Sequence, residues 1–504
     1  MIWTIAKKEF FEKILDFRVI ISFVIALMLT VVVAFVVGED YKASKARYDQ
    51  EVVATENEYR SIRVFGEFSR EVIFPPSPLS VFSKGSGLPA PMSVTVSATK
   101  VPKFEPKIAA SNVFLRIYDS LDLVTVFRIL FALLVILLTF DSFSGEKESG
   151  TLRLVMSTSA GRLQLFFGKV LGAFLVVSAV NLATYALAML GVQWVSGIAF
   201  AGVDYLRASL ILCVTVLYML VFASLGICAS LLFRHSSTSL VVSLLVWFLT
   251  AIVQPNLNTF LATELFSVPR FKDVEPALVQ REEEVDKEIE RFEKERQPLN
   301  KTRTSYGSDT RITDAEYEVL ESAIEKVYIR KKYIEAAEEG WRRYQQVYLE
   351  PLRRQAALNF ILDLVSPAAQ LKRSVPVLSC TDVDNYETFF EKARQYRSQC
   401  SEYLNRKGVF STNAQLYFSR LKKEDINAEA TGRRMELYKK DPSTIPWIHQ
   451  QPPLDLSDAP SYRVTEASVM ADTSRIVPNV GLLLLYSVLL GIGAIAALNK
   501  YDVR

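Results

Sequence analysis

Residues Val19–Gly38 read VIISFVIALMLTVVVAFVVG, twenty residues without a charge. At about 1.5 Å per residue such a run extends about 30 Å as a helix, which is the thickness of a bilayer's hydrocarbon core. It is longer than the apolar region of a signal peptide and ends in Gly38-Glu39-Asp40, not in a small-x-small cleavage site. It therefore reads as a retained membrane helix. Residues 170–190, 208–233 and 477–498 repeat the pattern. Thr238–Val253 is slightly short, and Ser236 and Ser237 extend it to 236–253. Leu123–Phe140 makes a sixth span, interrupted by Arg128.

The whole-chain composition fits this reading. Of 504 residues, half are hydrophobic, and mean hydropathy is +0.19. With 31 Phe and only 2 His, a His-centred or metal-rich enzyme is disfavoured. A net charge of +3 from 58 basic and 55 acidic residues gives no reason to expect nucleic acid as a partner. The expected fold class is mainly α: a polytopic membrane protein with six transmembrane helices.

Orientation follows from Lys and Arg near the span ends. Lys7, Lys8, Lys13 and Arg18 precede the first span; Lys147, Arg153, Arg162 and Lys169 lie between the second and third. Arg234 follows the fourth, and Lys500 and Arg504 follow the sixth. A six-span count puts all of these on one side, so the N and C termini are expected in the cytoplasm, with 499–504 as a tail. Two large segments, 39–122 and 254–475, then fall outside, and the second is long enough to fold by itself. In a bacterium this is a multi-pass protein of the inner membrane, surrounded by lipid.

The first outer segment opens with a charged helical stretch around Tyr41–Arg63. It becomes Pro-rich at Phe74-Pro75-Pro76-Ser77-Pro78-Leu79, and this density of proline favours loops and short strands. In the second, Leu278, Val285 and Phe292 recur every seven residues, with Ile289 between them. Leu320, Val327, Ile334, Trp341 and Tyr348 repeat the interval. Two helices burying a shared seam need this pattern. It predicts either a projecting helical hairpin, broken near Pro298 and closing near Pro351, or helices packed on a globular outer domain. Tyr386–Asn405 reads as a further amphipathic helix and Asp441–Ser461 as Pro-rich connecting chain with Trp447 and His449. Cys213 and Cys228 are packing residues within the fourth span. Cys380 and Cys400 face an oxidising compartment and are either bonded or free.

Between spans two and three, residues 141–169 contain Asp141-Ser142-Phe143-Ser144-Gly145-Glu146-Lys147-Glu148-Ser149-Gly150-Thr151-Leu152-Arg153-Leu154-Val155-Met156. This is an acidic helix start followed by a short helix with Leu152, Val155 and Met156 available on one face. Such a helix can dock in a groove of a soluble partner, or be an ordinary interfacial loop. Residues 1–18 interleave Trp3, Ile5, Phe10, Phe11, Ile14 and Leu15 with Lys7, Lys8, Glu9, Glu12 and Lys13, the mix of an amphipathic interfacial helix.

The stretch resembles the coupling region of ATP-binding-cassette type-2 permeases in Glu146, Glu148, Gly150, Thr151, Leu152, Gly168 and Lys169. The resemblance extends over nearly the whole chain. It includes a bacterial subfamily with two enlarged outer loops, through Pro76-Ser77-Pro78-Leu79, Leu364-Val365-Ser366-Pro367-Ala368, Tyr386 and Phe389. It implies a non-catalytic permease subunit, paired with a second permease in a homodimer or heterodimer and with cytosolic ABC ATPase subunits. ATP and Mg bind to those partners, and transport is usually export. Residues 1–18 correspond to the elbow helix of such permeases. The sequence separately argues that the ATPase is another chain. Gly161 to Lys169 superficially matches a phosphate-binding loop, but its spacing is six residues, not four, and Val170 replaces the required hydroxyl.

Intramembrane polar residues mark a possible pathway. Arg128 either snorkels to the outer interface or faces an anionic substrate or a partner carboxylate. Asn181, Thr184 and Tyr185 either line the path or bond between helices. Gly168-x-x-x-Gly172 permits close helix contact. A competing function is mechanotransmission, in which ATPase-driven movement acts on outer partners without flux. A membrane-embedded hydrolase has no Gly-x-Ser-x-Gly elbow to support it.

Overall fold

The computed structural model describes residues 1–63, 65, 68–85, 92–97, 103–106, 122–156, 161–267, 280–281, 283–292, 294–295, 314–407, 453–462 and 468–500. Among the described residues, six helical stretches are long and apolar enough to cross a membrane: Val19–Ser61, Leu123–Glu148, Arg162–Ser196, Gly202–Leu232, Ser236–Leu265 and Val469–Lys500. The protein is a mainly α, polytopic membrane protein. Span one lies in α2 (Phe17–Ser61) and follows α1 (Ile2–Ile14). Span two comprises α3 (Leu123–Val126), a π-helical turn Phe127–Phe131 and α4 (Ala132–Thr139). After α5 (Ser144–Glu148) and α6 (Thr151–Met156) come span three, α7 (Arg162–Ser196), and span four, α8 (Gly202–Leu232). Span five is α9 (Ser236–Trp247), a π turn Phe248–Val253 and α10 (Gln254–Leu265). Span six lies in α15 (Val469–Lys500).

Contacts along the helices give their directions. Gly191 faces Ala34 and Gly38 faces Val195, so spans one and three run the same way. Tyr218, midway along span four, bonds the Arg128 carbonyl, and Gly226, about two turns further on, meets Thr139, so spans two and four are parallel. Arg207 pairs with Asp472 and Gly493 faces Cys228, which aligns span six with them. Arg162 donates to the Asn499 carbonyl at 3.0 Å, and Gly168 faces Ile5. Both terminal regions therefore gather at one end of the bundle. The opposite end, toward which the two long insertions extend, is termed the outer end.

Span one does not stop at Gly38. α2 is 45 residues long, about 67 Å, and runs on to Ser61 in the first outer segment. Gly38 serves close packing here, since an added Cβ would lie 3.2 Å from a Val195 methyl. Beyond α2, β1 (Ser69–Ile73), β2 (Met92–Ser97) and β3 (Lys103–Pro106) form an antiparallel sheet in that order, with Val72 opposite Val94 and Val94 opposite Phe104.

The second outer segment contains α11 (Asp314–Tyr344), a π turn Gln345–Leu349, α12 (Glu350–Asp363), α13 (Pro367–Leu378) and α14 (Val383–Arg406). The heptad region shows two kinds of packing in different parts of it. Arg281 pairs with Glu339, Glu288 with Lys332, and Phe292 stacks on Tyr328 at 4.0 Å, so residues 283–292 run antiparallel to α11. Nearer the base, Trp341 and Tyr344 pack on Phe390, and the Tyr344 and Tyr386 hydroxyls lie 2.7 Å apart. The arm passes Pro351, which sits in the first turn of α12 where no amide is needed, and ends at Asp363. Leu278, Pro298, Trp447 and His449 lie outside the described residues.

The two outer segments share one core. Phe68, Val72 and Val94 of the first segment share one core with Trp341, Tyr386, Phe389 and Tyr403 of the second, and Phe74 meets Phe389 edge-on at 5.1 Å. A three-stranded sheet has too little apolar surface of its own and needs the helices as a second layer.

The outer chain also returns to the membrane domain at Leu364-Val365-Ser366-Pro367. Ser366 caps α13 through the Ala369 amide and donates to the Thr250 carbonyl of span five at 2.6 Å. The Tyr486 hydroxyl of span six donates to the Leu364 carbonyl, and Asn479 donates to Ser374. Thr250 lies about 21 Å along its helix from Ser236, and Tyr486 about 21 Å from Lys500. The α12–α13 elbow therefore reaches the outer third of a core about 30 Å thick. Its small and apolar residues, among them Ala368, Leu371 and Val375, join the bundle core.

The Cys380–Cys400 bond is not formed. Cys400 is buried in the outer core, where desolvation pushes its thiol up to about 12. Cys380 terminates the turn after α13 at φ 56 against Arg207, and burial raises its thiol to about 11. One sulfur lies in the outer core and the other in a turn against Arg207, which their twenty-residue separation did not reveal.

Candidate functional site

Residues 141–156, the candidate coupling region, sit at the end of the bundle that holds both terminal regions. Span two ends at Thr139, and the Ser144 hydroxyl donates to the Phe140 carbonyl as the chain turns into α5. Ser230 of span four accepts from the Phe143 and Ser144 amides, each at 2.8 Å. Two backbone donors in a buried turn are satisfied by one hydroxyl, which fixes the loop against span four.

The three charges of α5 each hold a different neighbour. Lys147 donates to the carbonyls of Ser230, Leu231 and Phe233, where the last turn of α8 leaves acceptors unpaired and the helix dipole favours a cation. Glu148 accepts from the Ser236 amide at 3.3 Å and hydroxyl at 2.9 Å, and its other oxygen lies 3.2 Å from His235 Nδ1. It thereby caps the start of α9. One five-residue helix thus clips the end of span four to the beginning of span five.

Glu146 faces the other way. Lys169 Nζ is 2.8 Å from Glu146 Oε1, 2.8 Å from Glu9 Oε1 and 2.9 Å from the Ser142 carbonyl, with the Phe143 ring beside it. The lysine side chain is 4% exposed and that of Glu9 9%. A buried carboxylate–ammonium–carboxylate array joins α1, the coupling loop and span three. Lys13 adds bonds to the Leu138 carbonyl and, at 3.0 Å, to the Ser142 hydroxyl. The P-loop-like stretch therefore does different work: Gly161 starts α7, and Lys169 lies two turns inside it on protein carboxylates.

The Gly168-x-x-x-Gly172 spacing makes this array possible. An added Cβ at Gly168 would lie 2.7 Å from Ile5, and one at Gly172 would lie 2.6 Å from the Glu9 Cβ and 2.9 Å from the Ala6 carbonyl oxygen. The two glycines are the bed on which α1 lies. Gly172→Leu is expected to lift α1 off span three, at a cost of about 1–3 kcal/mol from overpacking. Thermal unfolding in mild detergent measures this. An unchanged midpoint would mean that the contact is not made.

The α6 helix follows Gly150, whose φ of +75° makes the sharp turn that a side chain would strain. Leu152 is completely buried against Phe143, Leu165, Phe166, Ile227 and Leu498, and Val155 and Met156 pack on the same cluster. The face expected to meet a soluble partner is thus turned inward, because a six-residue helix on the ends of apolar spans has its own chain to bury against. The surface it presents carries Thr151, Arg153 and Leu154, with Leu154 70% exposed.

The intramembrane residues have separate environments. Tyr185 donates to the Ala208 carbonyl at 2.6 Å and stacks on Phe82, so it bonds between helices. Thr184 bonds back to Val180 in its own helix. Asn181 is fully buried, and neither of its amide atoms has a partner among the described residues. Arg128 lies in the π turn of span two, its carbonyl bonded by Tyr218. Lys147, Lys169, Glu9 and Ser230 were not evident in these roles from sequence. The available signal was that Ala6, Glu9 and Lys13 share one helical face, which places two charges on the side carrying a small residue.

A sequence model of the family described as ABC-2 family transporter protein matches residues 3–291, more than half of the chain and all of this site. No curated protein matches the sequence.

Proposed function

The chain belongs to the ABC-2 transporter family and is a membrane permease subunit of an ABC transporter, and from that premise we propose that it moves substrate outward using ATP hydrolysed by separate cytosolic subunits. The family implies such ATPase partners. In this reading ATP and Mg belong to the partner, a second permease subunit completes the path, and the protein resides with lipid in a bacterial inner membrane. The end holding both termini is the cytoplasmic end, in keeping with Lys7, Lys8, Arg153, Arg162, Arg234 and Lys500 there.

The observation that carries the proposal is the bracing of α5 and α6. Through Lys147, Glu148 and the Glu146–Lys169–Glu9 array, one short element contacts spans three, four and five and the elbow helix, while Arg153 and Leu154 stay exposed. A push on that surface is delivered to several helices at once. Leu154→Asp is expected to reduce stimulation of the partner ATPase at least about tenfold, the effect of losing about 1.4 kcal/mol of contact, with no shift in thermal midpoint. Unaltered stimulation would remove α6 from the contact surface.

The lever reading has an observation of its own: α2 runs unbroken from the membrane into the outer domain. Reconstituted vesicles separate the two. ATP-dependent accumulation of substrate supports transport, and ATP-dependent protection of the outer domain without accumulation supports the lever.

A further inference from the structure

Arg128 lies about 8 Å inside the outer end of span two, which begins at Leu123. It occupies a π turn, and that turn packs against the π turn Phe248–Val253 of span five while α13 packs on both. Facing π turns at the foot of a returning helix are irregular backbone of the kind that recurs at functional sites. The backbone itself is satisfied there, since Tyr218 donates to the Arg128 carbonyl at 2.6 Å. The side chain is not. Its Nε is buried without an acceptor, and among the described residues the guanidinium forms no hydrogen bond and no ion pair. A side chain that merely snorkelled would carry its whole polar head into water.

A second cation is brought to the same place. Lys372 of α13 lies within electrostatic reach of Arg128, and that like charge outweighs what either Asp363 or Asp122 contributes at the lysine. Both carboxylates are engaged elsewhere: Asp122 caps α3 through the Thr125 amide at 2.8 Å, and Asp363 accepts from Asn258 at 2.9 Å. Among the described residues, neither forms an ion pair with Arg128 or Lys372. The adjacent Arg373 takes no part, because it stacks on Phe360 and has Asp363 and Asp384 as charge partners. An arginine held within a span without a carboxylate, and beside a second cation, costs the fold stability. An acidic ligand offsets that cost.

We propose that Arg128, assisted by Lys372, receives the carboxylate or phosphate of a transported substrate at the outer end of the path. The proposal rests on the transport reading above and gives it a substrate class, acidic molecules. Arg128 supplies a planar fork that binds two oxygens at once, and Lys372 adds a point charge that draws the acid in. The two cations stand on different elements, span two and the outer-domain elbow, so a bound acid ties one to the other.

The test uses the full-length protein in phosphatidylcholine nanodiscs and a photoreactive probe, decanoic acid with a diazirine close to its carboxyl end, compared with the methyl ester of the same probe. Mass spectrometry reads labelling of the peptides that carry span two and α13. The acid is expected to label them at least about tenfold more than the ester, the ratio that one charge-assisted hydrogen bond supplies. Arg128→Met should remove that preference while leaving the thermal midpoint unchanged or raised, because the lost cation has no ion-pair partner to leave behind. Lys372→Gln should reduce the preference. Equal labelling by acid and ester, or a preference that survives Arg128→Met, would overturn the proposal. So would a lowered midpoint in that variant, which would assign Arg128 a partner within the fold. Phosphatidylglycerol added to the nanodisc separates a resident lipid from a substrate: if it blocks labelling, a lipid headgroup is the occupant and the proposal fails. Arg128-dependent labelling without ATP-driven export of the acid from vesicles would uphold the acid site and count against the transport reading instead.

Discussion

Lys169→Met is expected to destabilise the protein by about 3–5 kcal/mol, the cost of removing one partner from a buried ion pair, and to abolish ATPase coupling. The reason is the environment of the two carboxylates left behind. Glu9 has a side chain only 9% exposed and its Cβ packs over Gly172, so its carboxylate is left buried with an uncompensated charge. Glu146 is 25% exposed and can reach water at smaller cost. Most of the penalty therefore arises at Glu9. Adding Glu9→Gln to Lys169→Met should recover most of the thermal midpoint, because an uncharged amide tolerates the site better than an orphan carboxylate. Coupling should stay lost in the double variant, since Glu146 no longer ties the coupling loop to span three. Thermal unfolding in detergent reads the first effect, and stimulation of the partner ATPase reads the second. Recovery of both together would show the array to be purely structural, and recovery of neither would place the cost elsewhere than Glu9.

The contrast between Lys169 and Leu152 shows what the sequence could and could not convey. Charge-free runs such as Val19–Gly38 declare membrane helices because twenty apolar residues have few other uses. Heptad positions Val285 and Phe292 likewise found their seam with α11, since that period is useful only when two helices meet. The direction of a short helix carries no such signal. Leu152, Val155 and Met156 share a face whether it turns toward a partner or toward spans three, four and six, and only the assembled bundle decides. Helix ends were similarly illegible. Gly38-Glu39-Asp40 reads as a stop, yet a glycine packed against Val195 is compatible with a helix that continues. The charge clip was hidden for another reason. Lys147 and Glu148 look like solvated flank residues until the turn between spans four and five presents an unpaired helix C-terminus to one and a helix start to the other.

A second effect of the same size is expected at the opposite end of the bundle. Arg207, in the second turn of span four, pairs with Asp472 at the start of α15 at 2.8 Å, and both side chains are 4% exposed. The same guanidinium donates to the Leu378 carbonyl at 3.3 Å and contacts the Cys380 sulfur, so it binds span four, span six and the end of α13 together. Arg207→Ala should cost about 3–5 kcal/mol by leaving Asp472 buried and short of a partner. Arg207→Lys should recover only part of this, because a single ammonium cannot reproduce a planar fork reaching three groups. The informative variant replaces both partners, Arg207→Met with Asp472→Leu. Exchanging a buried ion pair for apolar side chains of similar size is often neutral or stabilising, so the midpoint should return close to the parent value. The double variant also removes the 3.4 Å contact of Arg475 with Asp472, but Arg475 keeps Asp382 and Asp384 as partners. A stable double variant that has lost ATP-dependent transport would show that rigid linkage of α13 to spans four and six is required for function. A stable double variant with full transport would show that the pair only holds the fold, with the Ser366, Tyr486 and Asn479 bonds still tying α13 and its elbow to spans five and six.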